Sequence, residues 1–178
     1  MKCKACAAQF VRQRPLQRAC SPTCALNLVQ AARAKKERNE TRAKLAALKP
    51  RQQWLREAQA AFNAYVRARD RNLPCVSCGR PATWDGQWHA SHLRSVGAAS
   101  AVRFSLWNVH KACSICNNWK SGNLSEYEPR LRARIGDAKV DWLRAQNAVT
   151  AYSIDYLRRL KRIFAKRARS AELIKASA

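Results

Sequence analysis

Acidic side chains are scarce in this sequence. Asp and Glu number 11 against 35 Lys and Arg in 178 residues, a formal net charge of +24. A folded surface has no need of such an excess of one sign, because self-repulsion works against compactness. The excess fits a polyanionic partner whose counterions the basic groups displace. The basic residues are spread over the whole chain rather than massed beside an anchor, which favours nucleic acid over a membrane surface. Long apolar runs are missing as well, so no segment reaches the roughly 20 residues of a membrane-spanning helix. Met1-Lys2-Cys3-Lys4 leads straight into a cysteine pair, without the apolar stretch of a secretory leader. The expected compartment is therefore a reducing one, the cytoplasm, where paired cysteines point to metal rather than disulfides. Hydrophobic content is an ordinary 47%, but much of it is alanine. The expected core is modest: one medium domain, or a small one with appendages. No sequence repeat is present.

Histidine is rarer still, and its placement is informative. All three, His89, His92 and His110, lie between two Cys-x2-Cys knuckles, Cys75/Cys78 and Cys113/Cys116. Four thiolates at this spacing suit a closed tetrahedral zinc site with no position left open for chemistry. That metal would be a staple, and the chemistry lies in what it staples. Cys3, Cys6, Cys20 and Cys24 form a second quartet on a short, loop-rich segment, too small for a core of its own, so a second zinc would supply its folding energy. The alternative for this quartet is a set of reactive thiols.

Ala25 to Lys49 contains no Gly or Pro and is rich in helix formers. Its middle carries Lys35, Lys36 and Arg38, which suits a solvated linker helix or a basic arm along a nucleic-acid backbone. Lys49-Pro50 breaks it. A second helix is expected from Gln52 to Asp70, with Trp54, Leu55, Ala58, Ala61, Phe62, Tyr65 and Val66 as an apolar stripe packed on the central module. Thr83-Trp84 and Gln87 to His89 read as short strands turning at Asp85-Gly86. Ser95 to Ser100 reads as a loop, Val102 to His110 as a second extended run, and Asn117 to about Lys120 as helical. Beyond that, Pro129 is placed as a first-turn proline, with Tyr127, Leu131 and Ile135 as a stripe ended by Gly136. Asp137 and Ser153 are expected to cap the last two helices. In the last, Leu157, Leu160 and Phe164 face one way, while Arg158, Arg159 and Arg162 help crowd the rest.

The central order, a ββα unit with His on the first strand and Asn leading into the second, is similar to that of HNH (ββα-metal) nucleases. Phosphodiester hydrolysis there needs a general base, a divalent cation and groups that hold the phosphate in line. His92 suits the base, with an ordinary pKa near neutrality. Asn108 is placed to orient it, and Asn117 to ligate a magnesium or manganese ion through a hard amide oxygen. HNH sites carry Asp or His just before the base, where this chain has Ser91; His89 is the better donor. His110, two residues after Asn108, is a candidate for phosphate or metal. Arg94, Arg103 and Lys120 border this site and are expected to grip DNA. The basic helix around Lys35, Lys36 and Arg38 and the face with Arg158, Arg159 and Arg162 are expected to hold other parts of it.

These residues resemble the NinG (Rap) recombination endonucleases of lambdoid phages. The resemblance covers most of the chain: Cys20-Ser-Pro-x-Cys24, Lys49-Pro50-Arg51, Arg69-Asp70-Arg71 and Leu73-Pro74-Cys75-x-Ser77-Cys78-Gly79. Most specific are Gln87-Trp88, His92, Arg103-Phe104 and Asn108-x-His110-Lys111-x-Cys113-x2-Cys116-Asn117-x2-Lys120-Ser121-Gly122-Asn123-Leu124. It implies a phage or prophage enzyme of the bacterial cytoplasm that cuts D-loops and Holliday junctions with a divalent ion. The Cys-Asn ending is also similar to the endonuclease VII group. The family pattern Trp-Asp-x-Gly-His becomes Trp88-His89-Ala90-Ser91-His92 here, so His89 would have to replace an acidic ligand.

The expected fold is mainly α with a small α+β core. A zinc-stapled nuclease module spans residues 51–124, after a four-cysteine module at 1–24 and a basic linker helix at 25–50, and before a basic helical region at 125–178. The expected activity is metal-dependent endonuclease cleavage of branched DNA; the alternative is a non-catalytic zinc protein that binds DNA or assembles recombination proteins. Two structural zinc ions and a catalytic magnesium or manganese are the expected cofactors. DNA is the expected partner, with a homodimer and recombination proteins left open and no membrane.

Overall fold

Ser21 and Pro22 set the start of the first long helix. Ser21 Oγ accepts the Cys24 N–H at 3.2 Å, and Pro22 takes a first-turn position, where its missing N–H costs nothing. Helix α1 runs Pro22–Leu48. Lys49 then turns extended, as the residue before a proline prefers. These features belong to a computed structural model of the chain that describes residues 1–176. It divides into two units, Met1–Lys49 and Pro50–Ala178.

In the first unit a knuckle precedes α1. Lys2 bridges Gln9, the Cys3 N–H donates to the Ala8 carbonyl at 2.8 Å, and the Lys4 N–H donates to the Arg18 carbonyl at 2.9 Å. Cys3 and Ala19 are its buried residues, and α1 buries none. With so little apolar burial, only ligation offsets the entropy of ordering this segment. Lys35, Lys36 and Arg38 are exposed on α1. The Lys36–Glu40 pair at 3.9 Å adds at most about 0.5 kcal/mol.

The second unit opens with α2, Arg51–Arg69, whose stripe buries Trp54, Leu55, Ala58, Phe62 and Val66. The stripe packs on the central module as expected, and most extensively on α5, Ile154–Ala176. Ser153 caps α5, accepting the Tyr156 N–H at 3.2 Å. The Phe62 ring meets Phe164 edge-on at 4.8 Å and Phe104 at 5.6 Å. The helices run side by side in one direction, since Lys161 reaches Glu57 at 2.7 Å and Arg71 reaches the Ala171 carbonyl at 3.1 Å. Leu157, Leu160 and Phe164 are buried, each contributing about 1.5–3 kcal/mol.

In the chain between these helices comes one antiparallel strand pair, β1 (Trp88–His92) and β2 (Val109–Cys113). Their register sets His92 opposite Val109, Ser91 opposite His110 and Trp88 opposite Cys113. The expected strands were misplaced in two ways. Thr83-Trp84 belongs to a turn, not a strand, and β1 begins only at Trp88. The run from Val102 to His110 is extended only from Val109, because a short 3-10 helix at Ser100–Val102 and turns fill the rest. After β2 the chain makes one wide π turn, Ile115–Trp119.

A buried ion pair locks β2 to the end of α2. Asp70 accepts from Arg69 Nε at 2.7 Å and Nη2 at 2.8 Å, and from the Lys111 N–H at 3.0 Å. Arg69 also donates to the carbonyls of Leu106 and Val109. Burial alone would push the Asp70 carboxyl up, but the Arg69 guanidinium holds it below the usual carboxylate range. Lys111 extends its amine to the Arg71 carbonyl at 2.8 Å, over the Trp88 ring.

Helices α3 (Leu124–Ile135) and α4 (Asp137–Ala145) pack on each other, and Tyr127 of α3 reaches both strands. Tyr127, Leu131, Val140 and Leu143 join Val76, Leu93, Val102 and the second cysteine quartet in one core cluster. Residues 125–178 therefore share a unit with the module they were expected to follow. Pro129 sits in the second turn of α3, not the first, because α3 begins at Leu124. Its ring removes one N–H that would reach Ser125, which is exposed and can be hydrated. Gly136, at φ 89°, ends the helix as expected. Asp137 is the first residue of α4 rather than its cap, and pairs with Arg132 at 3.2 Å. Among the described residues no helix is long and apolar enough to cross a membrane.

Candidate functional site

The two cysteine quartets close as the spacing predicts. Within each, all four sulfurs lie within 4.8 Å of one another. Cys75–Cys113 and Cys78–Cys113 are 3.8 Å apart, and Cys6–Cys20 and Cys20–Cys24 are 3.6 Å apart. A tetrahedral ion with Zn–S bonds of about 2.3 Å spaces its sulfurs by about 3.8 Å, whereas a disulfide needs about 2.05 Å. Both quartets therefore fit a four-thiolate metal site, for which zinc is the matching ion. Backbone N–H groups support the sulfurs: Cys113 donates to Cys75 Sγ at 3.3 Å and Cys20 to Cys3 Sγ at 3.4 Å. Four ligands leave no open position, so these sites hold structure.

The second quartet anchors the turn that carries Asn117. Asn117 Nδ2 lies 3.2 Å from His89 Nδ1 on β1. The structure thus brings together two of the predicted ligands from positions 28 residues apart. A half-rotation of the amide presents Oδ1 to the same point, so the pair can offer one imidazole nitrogen and one amide oxygen to an ion. Among the described residues the only groups of three or more His, Cys or carboxylate side chains close enough to share an ion are the cysteine quartets. Ser91 is buried and faces Gly122, whose φ of 90° requires glycine.

His92 ends β1. Its Nε2 lies 3.1 Å from the Arg103 carbonyl oxygen. That oxygen only accepts, so Nε2 carries the proton and Nδ1 keeps a free lone pair. Burial holds the His92 pKa below the ordinary imidazole value; the carbonyl bond opposes this and the Arg103 charge adds to it. The ring is neutral at pH 7, the state a proton acceptor needs.

Asn108 makes its side-chain hydrogen bonds to the backbone and not to His92, contrary to expectation. Its Oδ1 accepts the Arg94 N–H at 2.8 Å, and its Nδ2 donates to the carbonyls of Arg94 at 3.0 Å and Val102 at 3.1 Å. It ties together two points of the backbone after His92, Arg94 and Val102, and so fixes the segment whose next carbonyl, that of Arg103, holds the ring. His110 is also placed differently from expectation. It is 3% exposed, and its Nδ1 faces the Tyr127 hydroxyl at 3.4 Å. Burial, reinforced by Arg69, pushes its pKa down to about 3, so it stays neutral and inside the core rather than meeting phosphate. Tyr127 also donates to the Ser91 carbonyl at 3.0 Å.

Two of the three arginines and lysines expected to border the site are braces. Arg94 donates to the Gln146 carbonyl and Asn147 Oδ1, at 3.0 and 2.6 Å. Arg103 Nε donates to Gln59 Oε1 on α2 at 2.6 Å. Lys120 is exposed, as are Arg158, Arg159 and Arg162 on α5. Sequence reasoning missed three features. The Arg103 carbonyl is backbone and leaves no signal in residue identity. The Arg69-Asp70 lock was visible as an unusual Arg-Asp-Arg helix end. Trp119, 84% exposed beside Asn117, was visible as a tryptophan in a polar turn.

The family described as Bacteriophage Lambda NinG protein matches residues 1–173. Protein ninG of Escherichia phage lambda is 44% identical over 115 residues, covering 65% of this chain and 55% of its own length. Protein ninG of Escherichia phage 933W is likewise 44% identical over 115 residues, 65% of this chain and 56% of its own. That of Salmonella phage P22 is 52% identical over 95 residues, 53% of this chain and 46% of its own. The chain spans about half the length of the curated relatives it matches. No solved structure matches it. The match along 173 residues places the cysteine quartets, the strand pair and the Asn117 turn all within the family's span, and the chain belongs to the Bacteriophage Lambda NinG protein family.

Proposed function

We propose that this chain is an HNH-type DNA endonuclease, akin in its site to the endonuclease VII group, that hydrolyses strands of branched DNA such as D-loops and Holliday junctions. The observation that carries the reading is the His89–Asn117 pair at 3.2 Å, on the strand that ends in a neutral His92 with a free Nδ1. His92 Nδ1 takes the proton from the attacking water, and the Arg103 carbonyl keeps the ring in that tautomer. His89 and Asn117 would hold a divalent ion, which when bound supplies charge neutralisation at the phosphate and the leaving oxygen. Neither ligand carries charge, so substrate phosphate must complete the site, and manganese is favoured over magnesium. By analogy with HNH enzymes the products carry 5′-phosphate and 3′-hydroxyl ends. Lys120 and the exposed α5 arginines meet phosphates without reading bases, and a homodimer or recombination proteins would join at such sites.

A second reading is a non-catalytic zinc protein that binds DNA or assembles recombination proteins. It is favoured because, among the described residues, His89 belongs to no group of three or more His, Cys or carboxylate side chains able to share an ion. The test is nicking of supercoiled plasmid with added magnesium or manganese, followed by competition among four-way junction, D-loop and linear duplex. Cleavage by the wild type that is lost in His92→Ala supports the nuclease. Tight DNA binding with no cleavage under either ion leaves the second reading.

A further inference from the structure

The Trp119 side chain lies outside the core. It is 84% exposed, the most open of the six tryptophans. The other five are engaged: Trp84 with Trp88 edge to face at 5.3 Å, Trp107 with Trp142 at 5.6 Å, and Trp54 buried in α2. Among the described residues no aromatic ring or cation packs on the Trp119 indole. The indole offers a large flat apolar face open to a stacking partner.

Its position is fixed. Trp119 ends the π turn that contains Cys116 and Asn117. The turn is held by the cysteine quartet, by the Gly122 N–H on the Cys116 carbonyl at 2.8 Å, and by Ser77 Oγ on the Gly122 carbonyl at 2.9 Å. Asn118, Lys120 and Ser121 around it are exposed and include no acid, on a chain of net charge +24. The surroundings suit a polyanion that carries flat apolar faces, which is a nucleic acid.

We propose that Trp119 is a stacking platform for an unpaired DNA base beside the phosphate at His89 and Asn117. The phosphate clause rests on the nuclease reading; the stacking does not. Inside a continuous duplex both faces of each base are covered by neighbours. An indole finds a free face only where the stack is interrupted, at a bulge, a gap or the centre of a junction. Base–aromatic stacking tolerates any base identity, so Trp119 selects DNA shape without selecting sequence. Lys120, next in the chain, meets the phosphate that follows the stacked base.

The experiment measures binding without added magnesium or manganese, so cleavage plays no part. The probes are a duplex with one unpaired 2-aminopurine and the same duplex fully paired. The proteins are wild type, Trp119→Ala and Trp119→Phe. Wild type should bind the bulged duplex more tightly and change its 2-aminopurine emission. Trp119→Ala should lose roughly 5- to 150-fold in affinity for that probe, the equivalent of removing one stacking ring, and bind the paired duplex as before. Trp119→Phe should fall between. Equal affinity of wild type and Trp119→Ala for the bulge overturns the proposal, as does an equal loss on both duplexes, which would mark a general phosphate grip. A wild type that shows the stacking signature but cuts no DNA with either ion removes the nuclease and leaves the platform. Cleavage with no dependence of bulge binding on Trp119 does the reverse.

Discussion

Replacing Asn108 with alanine tests whether this residue acts on His92 directly or through the backbone. The side chain is fully buried and makes its three hydrogen bonds within 3.1 Å, to the Arg94 N–H, the Arg94 carbonyl and the Val102 carbonyl. Alanine strips all three backbone groups of their partner at once. Each costs about 1 kcal/mol or more where water cannot replace it, so the loss is about 3 kcal/mol. That is a large part of the roughly 5–15 kcal/mol that holds a domain together. At roughly 4 °C per kcal/mol for a unit of this size, it lowers the unfolding midpoint by about 12 °C. Asn108→Asp keeps the shape but turns an oxygen toward two carbonyl oxygens, and should destabilise at least as much. The assay is thermal unfolding followed by tryptophan fluorescence at fixed zinc, with plasmid nicking beside it. An Asn108→Ala protein with the wild-type midpoint and no cleavage would refute the brace and return Asn108 to direct contact with His92.

Cys113→Ser should unfold the second unit and lower bound zinc, whereas Cys6→Ser should disturb only the first; metal analysis finding no zinc, with stability indifferent to chelator, would remove both sites. His92→Ala should lose about 10²-fold or more in cleavage while DNA binding persists. Because the His92 pKa is lowered, the acid limb of the wild-type rate profile should lie below the ordinary imidazole value of about 6.5; a limb above that value contradicts the burial argument. His89→Asp adds the negative charge that the His89–Asn117 pair lacks, so magnesium-supported cleavage should be retained or rise, and its abolition would show that residue 89 is not a ligand. His110, with its pKa near 3, binds fewer protons folded than unfolded as pH falls from about 6.5 toward 3. Stability should therefore be full above about 6.5 and drop on acidification by up to about 1.4 kcal/mol per pH unit. His110→Gln should show a shallower acid slope in urea midpoints, and an unchanged slope would contradict its burial as a neutral ring.

Features written in residue type and period were legible without coordinates. The Ser153 cap, the Leu157/Leu160/Phe164 face and the α2 stripe all follow from apolar spacing and local hydrogen bonding. The quartets and the His89–Asn117 encounter follow because the two knuckles force distant segments together. What failed was decided by tertiary partners. Asp85-Gly86 flanked by Thr-Trp and Gln-Trp carries a hairpin signal, but only Trp88 onward has a strand to pair with. Residues 102–108 carry enough β-formers to look extended, yet Asn108 ties Val102 and Arg94 into a folded turn. Which face of α2 met which helix was invisible, since Phe62 and Phe164 are each compatible with several apolar neighbours. His110 looked like a ligand because its burial under Tyr127 depends on α3, a later segment.

The parallel pairing of α2 with α5 also governs timing during synthesis. Glu57 and Lys161, which meet at 2.7 Å, are 104 residues apart. At about 5–20 residues per second, a ribosome that has just released α2 needs about 5–20 s more to supply its partner. Throughout that interval Phe62 lacks the Phe164 ring that meets it edge-on. A product truncated before α5 leaves the α5-facing side of α2 uncovered, the kind of apolar exposure on which chaperones and proteases act.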